Sequence, residues 1–139
     1  MTYALDTNIV SYLLKYGEER ELVAKKFYFH LDQGDDIVII PIVYYEITRG
    51  LMKINSVNKT DIFNDMFSKF GMTDFDFGIW NKSAEIYFKL REKGSMIDEM
   101  DILIAAFCII NDYVLVTHNT AHFNRIEELN CVDWASKED

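Results

Sequence analysis

The chain has 139 residues, half of them hydrophobic, with 10 Phe, 8 Tyr and 2 Trp against a single Pro and 6 Gly. That length and apolar content can bury a core and exclude an intrinsically disordered segment, so residues 1–139 are read as a single domain. The formal charge of −9, from 23 acids and 14 bases, argues against a simple nucleic-acid-binding module, because phosphate neutralisation normally leaves a basic footprint.

The same charge suits acids that hold divalent cations, or a basic protein partner. Cys108 and Cys131 make neither a disulfide framework nor a structural-zinc spacing. Asp6 interrupts any apolar leader, and the runs around Ile37–Tyr45 and Ile102–Ile110 are too short to span a bilayer. The expectation is a reduced, cytoplasmic protein with no membrane association.

In chain order, residues 2–6 read as a buried first strand that delivers the chain to Asp6, and Thr7–Leu14 as a short helix. A second helix follows from Glu18 to Leu31, with acids in its first turn where they suit the helix dipole. Ile37–Ile40 is β-branched and bounded by turn signals, as a strand buried on both faces should be. Ile42–Ile54 and Lys59–Phe70 carry helical spacing, with Gly71 as a stop.

Thr73–Phe77 alternates apolar and acidic residues and reads as a short edge strand. Ile79–Lys93 is a helix with Gly94 as its C′ residue, and Ile97–Asn111 is the most apolar helix, with Asp98 as N-cap. Tyr113–Val116 is the next strand, leading to Thr117-His118-Asn119. A helical piece around Thr120–Leu129 and a strand at Cys131–Asp133 finish the chain. Strands alternating with helices mean an α/β domain with a mainly parallel sheet, whose right-handed crossovers put the strand ends on one edge.

Asp6 and Thr117–Asn119 follow strands on that edge, where open α/β sheets bind ligands, and Glu46 and Asp101 lie on helices that start near it. Several carboxylates gathered together repel one another, so a cluster of them implies a cation. Hard divalent ions take oxygen ligands, Mg²⁺ through one or two carboxylates plus water and substrate phosphate. Each residue also has a plainer reading. Asp6 suits a helix cap, Glu46 a solvated acid, and Thr7 and Asn8 a helix start. Arg49 reads equally as a phosphate contact or an acid's partner, and Thr117 as a donor to an acid across the edge. Asp98 suits an N-cap, with Asp101 at N3 as a short capping-box mimic. His118 and His122 read as solvated loop residues, and Tyr44 and Tyr45 as core or interface. Haloacid-dehalogenase-type phosphatases need a second Asp two residues after the first, where this chain has Asn8.

Four segments, in order, resemble PIN-domain ribonucleases close to the VapC toxins of bacterial toxin–antitoxin pairs. They are Leu5-Asp6-Thr7-Asn8, Glu46-Ile47-Thr48-Arg49-Gly50, the run from Gly94 and Ile97 into Asp101-Ile102-Leu103-Ile104-Ala105-Ala106, and Val116-Thr117-His118-Asn119 with Phe123 and Asp133-Trp134. The resemblance spans nearly the whole chain. It implies a three-layer α/β/α sandwich and Mg²⁺- or Mn²⁺-dependent endonucleolytic cleavage of RNA. By that analogy Asp6, Glu46 and Asp101 are the catalytic acids, Asp6 and Asp101 hold metal, and Asn119 stands where the family has Asp or Asn. A neutral Asn favours one metal and leaves two open. The resemblance further implies an antitoxin partner and a homodimer, for which Phe63, Phe67, Phe70, Trp80 and Tyr87 offer apolar surface. The competing expectation is a catalytically silent domain whose acidic face binds a basic protein. RNA contacts are expected from the few bases near the acids, such as Lys15, Arg49, Lys53 and Lys59.

Overall fold

A computed structural model describes residues 1–70 and 73–137. Its elements are β1 (Thr2–Leu5), α1 (Thr7–Leu13), α2 (Glu18–Asp32), β2 (Asp36–Ile39), α3 (Pro41–Ile54), α4 (Val57–Phe70), α5 (Phe77–Glu92), α6 (Glu99–Asn111), β3 (Val114–Val116), α7 (Thr120–Phe123) and β4 (Cys131–Val132). Helices flank a central sheet in an α/β/α sandwich, and among the described residues the sheet has the order β2-β1-β3-β4. Every pairing is parallel, with Leu5 beside Ile39 on one side and Val116 on the other.

Parallel strands covered on both faces need apolar side chains at successive positions, not alternate ones. Ala4, Leu5, Ile39, Leu115 and Val116 accordingly have no solvent exposure. The strand order grows from β1 towards β2 on one side and towards β3 and β4 on the other. The reversal lies between β1 and β3, and such a switch point opens a crevice at the carboxyl ends of the strands. Asp6 and Thr117 are the first residues past those two strands, and the Asp6 N–H extends the ladder by donating to the Val116 carbonyl at 2.9 Å.

Local chemistry sets the element ends. Pro41 occupies the first turn of α3, where its missing N–H costs nothing. Gly94 closes α5 with φ of +66°; its N–H donates to the Arg91 carbonyl and that of Ser95 to the Leu90 carbonyl, a Schellman pattern. Asp98 caps α6 by accepting from Met100 N at 3.2 Å, so that helix starts at Glu99 and not at Ile97.

Several expectations are corrected. Residues 73–76 form no strand, and Phe77 already belongs to α5. The acidic half of the alternation is a cap, Asp76 accepting from Ile79 N at 3.0 Å, while Phe75 turns inward onto Phe107 and Trp80. The helix expected over Thr120–Leu129 ends at Phe123, and the chain continues to Leu129 in turns whose Ile126 and Leu129 are buried. The stop expected at Gly71 lies outside the described residues. Phe63 is core, not surface, at 1% exposure, whereas Trp80 is 53% exposed. Among the described residues no helix is long and apolar enough to cross a membrane, and both cysteines are free thiols.

Candidate active site

The site starts from Asp6, which the sheet holds 5% exposed at the switch point. Its Oδ1 accepts from the Thr7 N–H at 2.8 Å, capping α1, and its Oδ2 accepts from the fully buried Thr117 hydroxyl at 2.7 Å. The cap and the site residue are thus one side chain using its two oxygens differently. Burial pushes the Asp6 carboxyl above the usual carboxylate range and the charge of Glu46 adds to this; the donors Thr117 and Thr7 act in the opposite direction.

Two hydroxyls extend the network. Thr7 Oγ1 donates to Glu46 Oε1 at 2.8 Å and so fixes the one acid of α3 that lies beside α1. Thr117 Oγ1 accepts from the Asn119 N–H at 3.0 Å, which places Asn119 one residue-link from Asp6. Asp101 enters from the first turn of α6 with 22% side-chain exposure. Its carboxyl is pushed up to about 6, first by burial and then by the charges of Asp6, Asp98 and Glu46. Three other acids therefore share its region and raise the cost of ionising Asp101. Cys108, buried beneath them on α6, has its thiol pushed up by burial and by Asp6.

The profile of the PIN domain family matches residues 3–129. This chain is a PIN domain. It is 30% identical over 139 aligned residues to the Ribonuclease VapC2 of Rickettsia felis, covering 96% of this chain and 98% of that one. Its fold superposes with a TM-score of 0.85 on the crystal structure of VapBC2 from Rickettsia felis bound to a DNA fragment from their promoter, at 27% identity over 96% of this chain and 99% of that one. VapBC-1 from nontypeable Haemophilus influenzae gives 0.81 and 27%, over 98% of this chain and 100% of that one.

The PIN domain brings Asp6, Glu46, Asp101 and Asn119 to one edge: Thr7 and Thr117 link Asp6, Glu46 and Asn119, while Asp101 stands within reach of the Asp6 and Glu46 charges. Asn8 instead ties α1 to the loop after β3, its Oδ1 accepting from the His118 N–H at 3.2 Å. Arg49 lies over the Tyr45 ring, 5.1 Å from its centroid, and makes no ion pair among the described residues. Tyr44 stacks on Phe63 and Phe67. A groove of about 250 Å³ beside Thr7 and Glu46 carries Lys15 and Lys59 on its walls.

Neither histidine is idle. His118 Nδ1 lies 2.9 Å from Asp133 Oδ2, which also binds Ser136. His122 Nδ1 is 2.8 Å from Asn119 Nδ2 and 4.0 Å from Asp101 Oδ2. The sequence reads His122 as a solvated loop residue; its i, i+3 relation to Asn119 on a helix start was the available signal of the contact.

Whether this donor set fits a metal can be tested on its chemistry. Among the described residues no three His, Cys, Asp or Glu side chains close on one point as a complete ligand set. That excludes a caged zinc-type site but suits Mg²⁺ or Mn²⁺, which keep waters and need only one or two carboxylates. The neighbouring acids depress the ionisation of Asp101, and a divalent cation would offset that repulsion.

Proposed function

We propose that this PIN domain, acting as one unit over residues 1–139, is a VapC-type toxin that cleaves RNA endonucleolytically with Mg²⁺ or Mn²⁺. The observation that carries the reading is the group of acids Asp6, Glu46 and Asp101 at the switch point, mutually repelling in the bare protein. Asp6 and Asp101 would hold the ion. When bound, it supplies Lewis-acid stabilisation of the developing phosphodiester charge and lowers the pKa of water at the site. Glu46, anchored by the Thr7 hydroxyl, orients the attacking water and accepts its proton. Asn119 orients that water from the other side. Lys15 and Lys59 contact the strand's phosphates along the groove and offset part of the chain's negative charge.

The structural neighbours described as VapBC complexes support a cognate antitoxin as partner, seated on the acidic edge. The exposed Trp80 and Phe88 on α5 offer a homodimer surface, and RNA as substrate fits a cytoplasmic location. A silent acidic binding domain is not favoured, since the relatives are named ribonucleases. The test is RNA cleavage by purified protein with Mn²⁺ or Mg²⁺, repeated with Asp6→Asn and Asp101→Asn. Loss of cleavage in both variants is expected. Cleavage unaltered by either substitution, or unaffected by chelation, would overturn the reading.

A further inference from the structure

We infer that Tyr45 and Arg49, stacked on one another along α3, form a substrate-contacting pair that holds one nucleobase of the RNA strand beside Glu46. The inference rests on the RNA-cleavage reading and adds to it a contact with the nucleobase.

The pair frames the one acid that α3 brings to the site: Tyr45 directly precedes Glu46, and Arg49 follows it by three residues. Residues three apart on a helix are surface neighbours, and opposite charges at that spacing commonly pair. Here they do not. Glu46 Oε1 accepts from the Thr7 hydroxyl at 2.8 Å, and the Arg49 guanidinium lies over the Tyr45 ring, 5.1 Å from its centroid. Lys69 on α4 and Lys82 and Lys89 on α5 each hold a carboxylate, whereas Arg49 and Lys53 on α3 hold none among the described residues.

The ring beneath Arg49 is equally uncommitted. Tyr44 turns onto Phe63 and Phe67, but Tyr45 is 50% exposed and meets no other ring among the described residues. A half-exposed aromatic adds little to the core. Combined with a guanidinium, it has what a nucleobase requires: two planar groups able to stack on a π-face, and a permanent positive charge for the adjoining phosphate. Lys15 and Lys59, on the walls of the groove beside Thr7 and Glu46, offer charge without a plane. Phosphate contacts position a strand and nucleobase contacts specify it, so the two lysines and the Tyr45–Arg49 pair divide those tasks around Glu46.

Binding and cleavage by the intact chain test this. In an Asp6→Asn background, calorimetry reads the affinity for an unstructured RNA and, separately, for inorganic polyphosphate, which has the charge and no nucleobase. Tyr45→Ala should weaken RNA binding about tenfold, the scale of one lost stack, and leave polyphosphate binding unchanged. Tyr45→Phe should keep the parent affinity. Arg49→Lys keeps the charge and loses the plane, so it should lose RNA affinity but not polyphosphate affinity. Lys15→Ala should weaken both ligands. With Asp6 restored, Tyr45→Ala should raise KM and leave kcat nearly unchanged, as loss of a contact made equally in ground and transition states does. An undiminished RNA affinity in Tyr45→Ala, or equal losses of RNA and polyphosphate, would overturn the inference. A change of oligomeric state with RNA affinity intact would overturn it too, by assigning Tyr45 to an interface between copies. The two levels fail separately: cleavage persisting in Asp6→Asn sinks the metal-site reading whatever Tyr45 does, while loss of cleavage there with RNA affinity intact in Tyr45→Ala sinks only the pair.

Discussion

The Thr117 hydroxyl donates to Asp6 Oδ2 at 2.7 Å across 111 positions of sequence, with both residues buried at the switch point. It satisfies half of a carboxylate that burial alone would drive towards protonation. Thr117→Val keeps the shape and removes the donor. It should cost about 1–3 kcal/mol in urea unfolding at neutral pH, the penalty for leaving a buried charge short of a partner. RNA cleavage should fall about 10- to 100-fold, because Asp6 loses its orientation. Thr117→Ser should retain most of both. Equal stability of the valine variant and wild type would show that this bond carries no net weight.

Cation binding should be visible without any substrate. A ligand that binds only the folded protein stabilises it by mass action, by about 2.7 kcal/mol at a hundredfold excess over its dissociation constant. Thermal melts with rising Mn²⁺ should therefore move to higher temperature, and chelation should reverse the shift. The Asp101→Asn protein should show little movement. A shift of the same size in that variant would place the ion elsewhere.

The strands of this fold were legible because both faces of a parallel sheet must be apolar, and Ile37–Ile40 and Tyr113–Val116 have no polar alternation to suggest otherwise. Helix caps were legible where a single acid precedes an apolar repeat, as at Asp98. Thr73–Phe77 misled for the same reason: Asp76 is the cap directly before a helix whose first residue, Phe77, looks like a strand's apolar partner. The site was legible as four separated polar positions, since the family's order and spacing mark them. Thr117 was legible too as a donor to an acid across the edge, and its hydroxyl does donate to Asp6. The bond from Thr7 to Glu46 was not legible, because it depends on side-chain rotations that one-dimensional spacing does not encode. Spacing could signal His122 against Asn119, three residues away at a helix start, but not against Asp101, which lies on a different helix.

Asp98 separates capping from charge. Asn is as good an N-cap as Asp, whereas Ala is not. Asp98→Ala should lower stability by about 1 kcal/mol through the lost bond to Met100 N. Asp98→Asn should leave stability unchanged or slightly higher, since it removes one of the charges that raise Asp101. Mn²⁺ affinity of the Asn variant should stay within about threefold of wild type. A loss as deep as that of Asp101→Asn would make Asp98 a ligand and not a cap.

Asp101 itself should destabilise the cation-free protein in a defined pH window. Its carboxyl sits at about 6 in the folded chain against 3.8 ordinarily, so between those values the folded state binds more protons than the unfolded one. Stability then falls as pH rises through that interval, and the cost is fully present above it. Asp101→Asn removes the ionisation, at the loss of a favourable charge in the first turn of α6 worth about 0.5 kcal/mol. In chelator the variant should accordingly be more stable than wild type at pH 7.5, by on the order of 1–2 kcal/mol, and no more stable at pH 4. Urea unfolding at the two pH values measures this, and Mn²⁺ should erase the difference at pH 7.5 by stabilising wild type alone. A variant less stable than wild type at pH 7.5 would mean that the neighbouring acids do not strain Asp101, and with it the electrostatic case for a cation at this edge would fall.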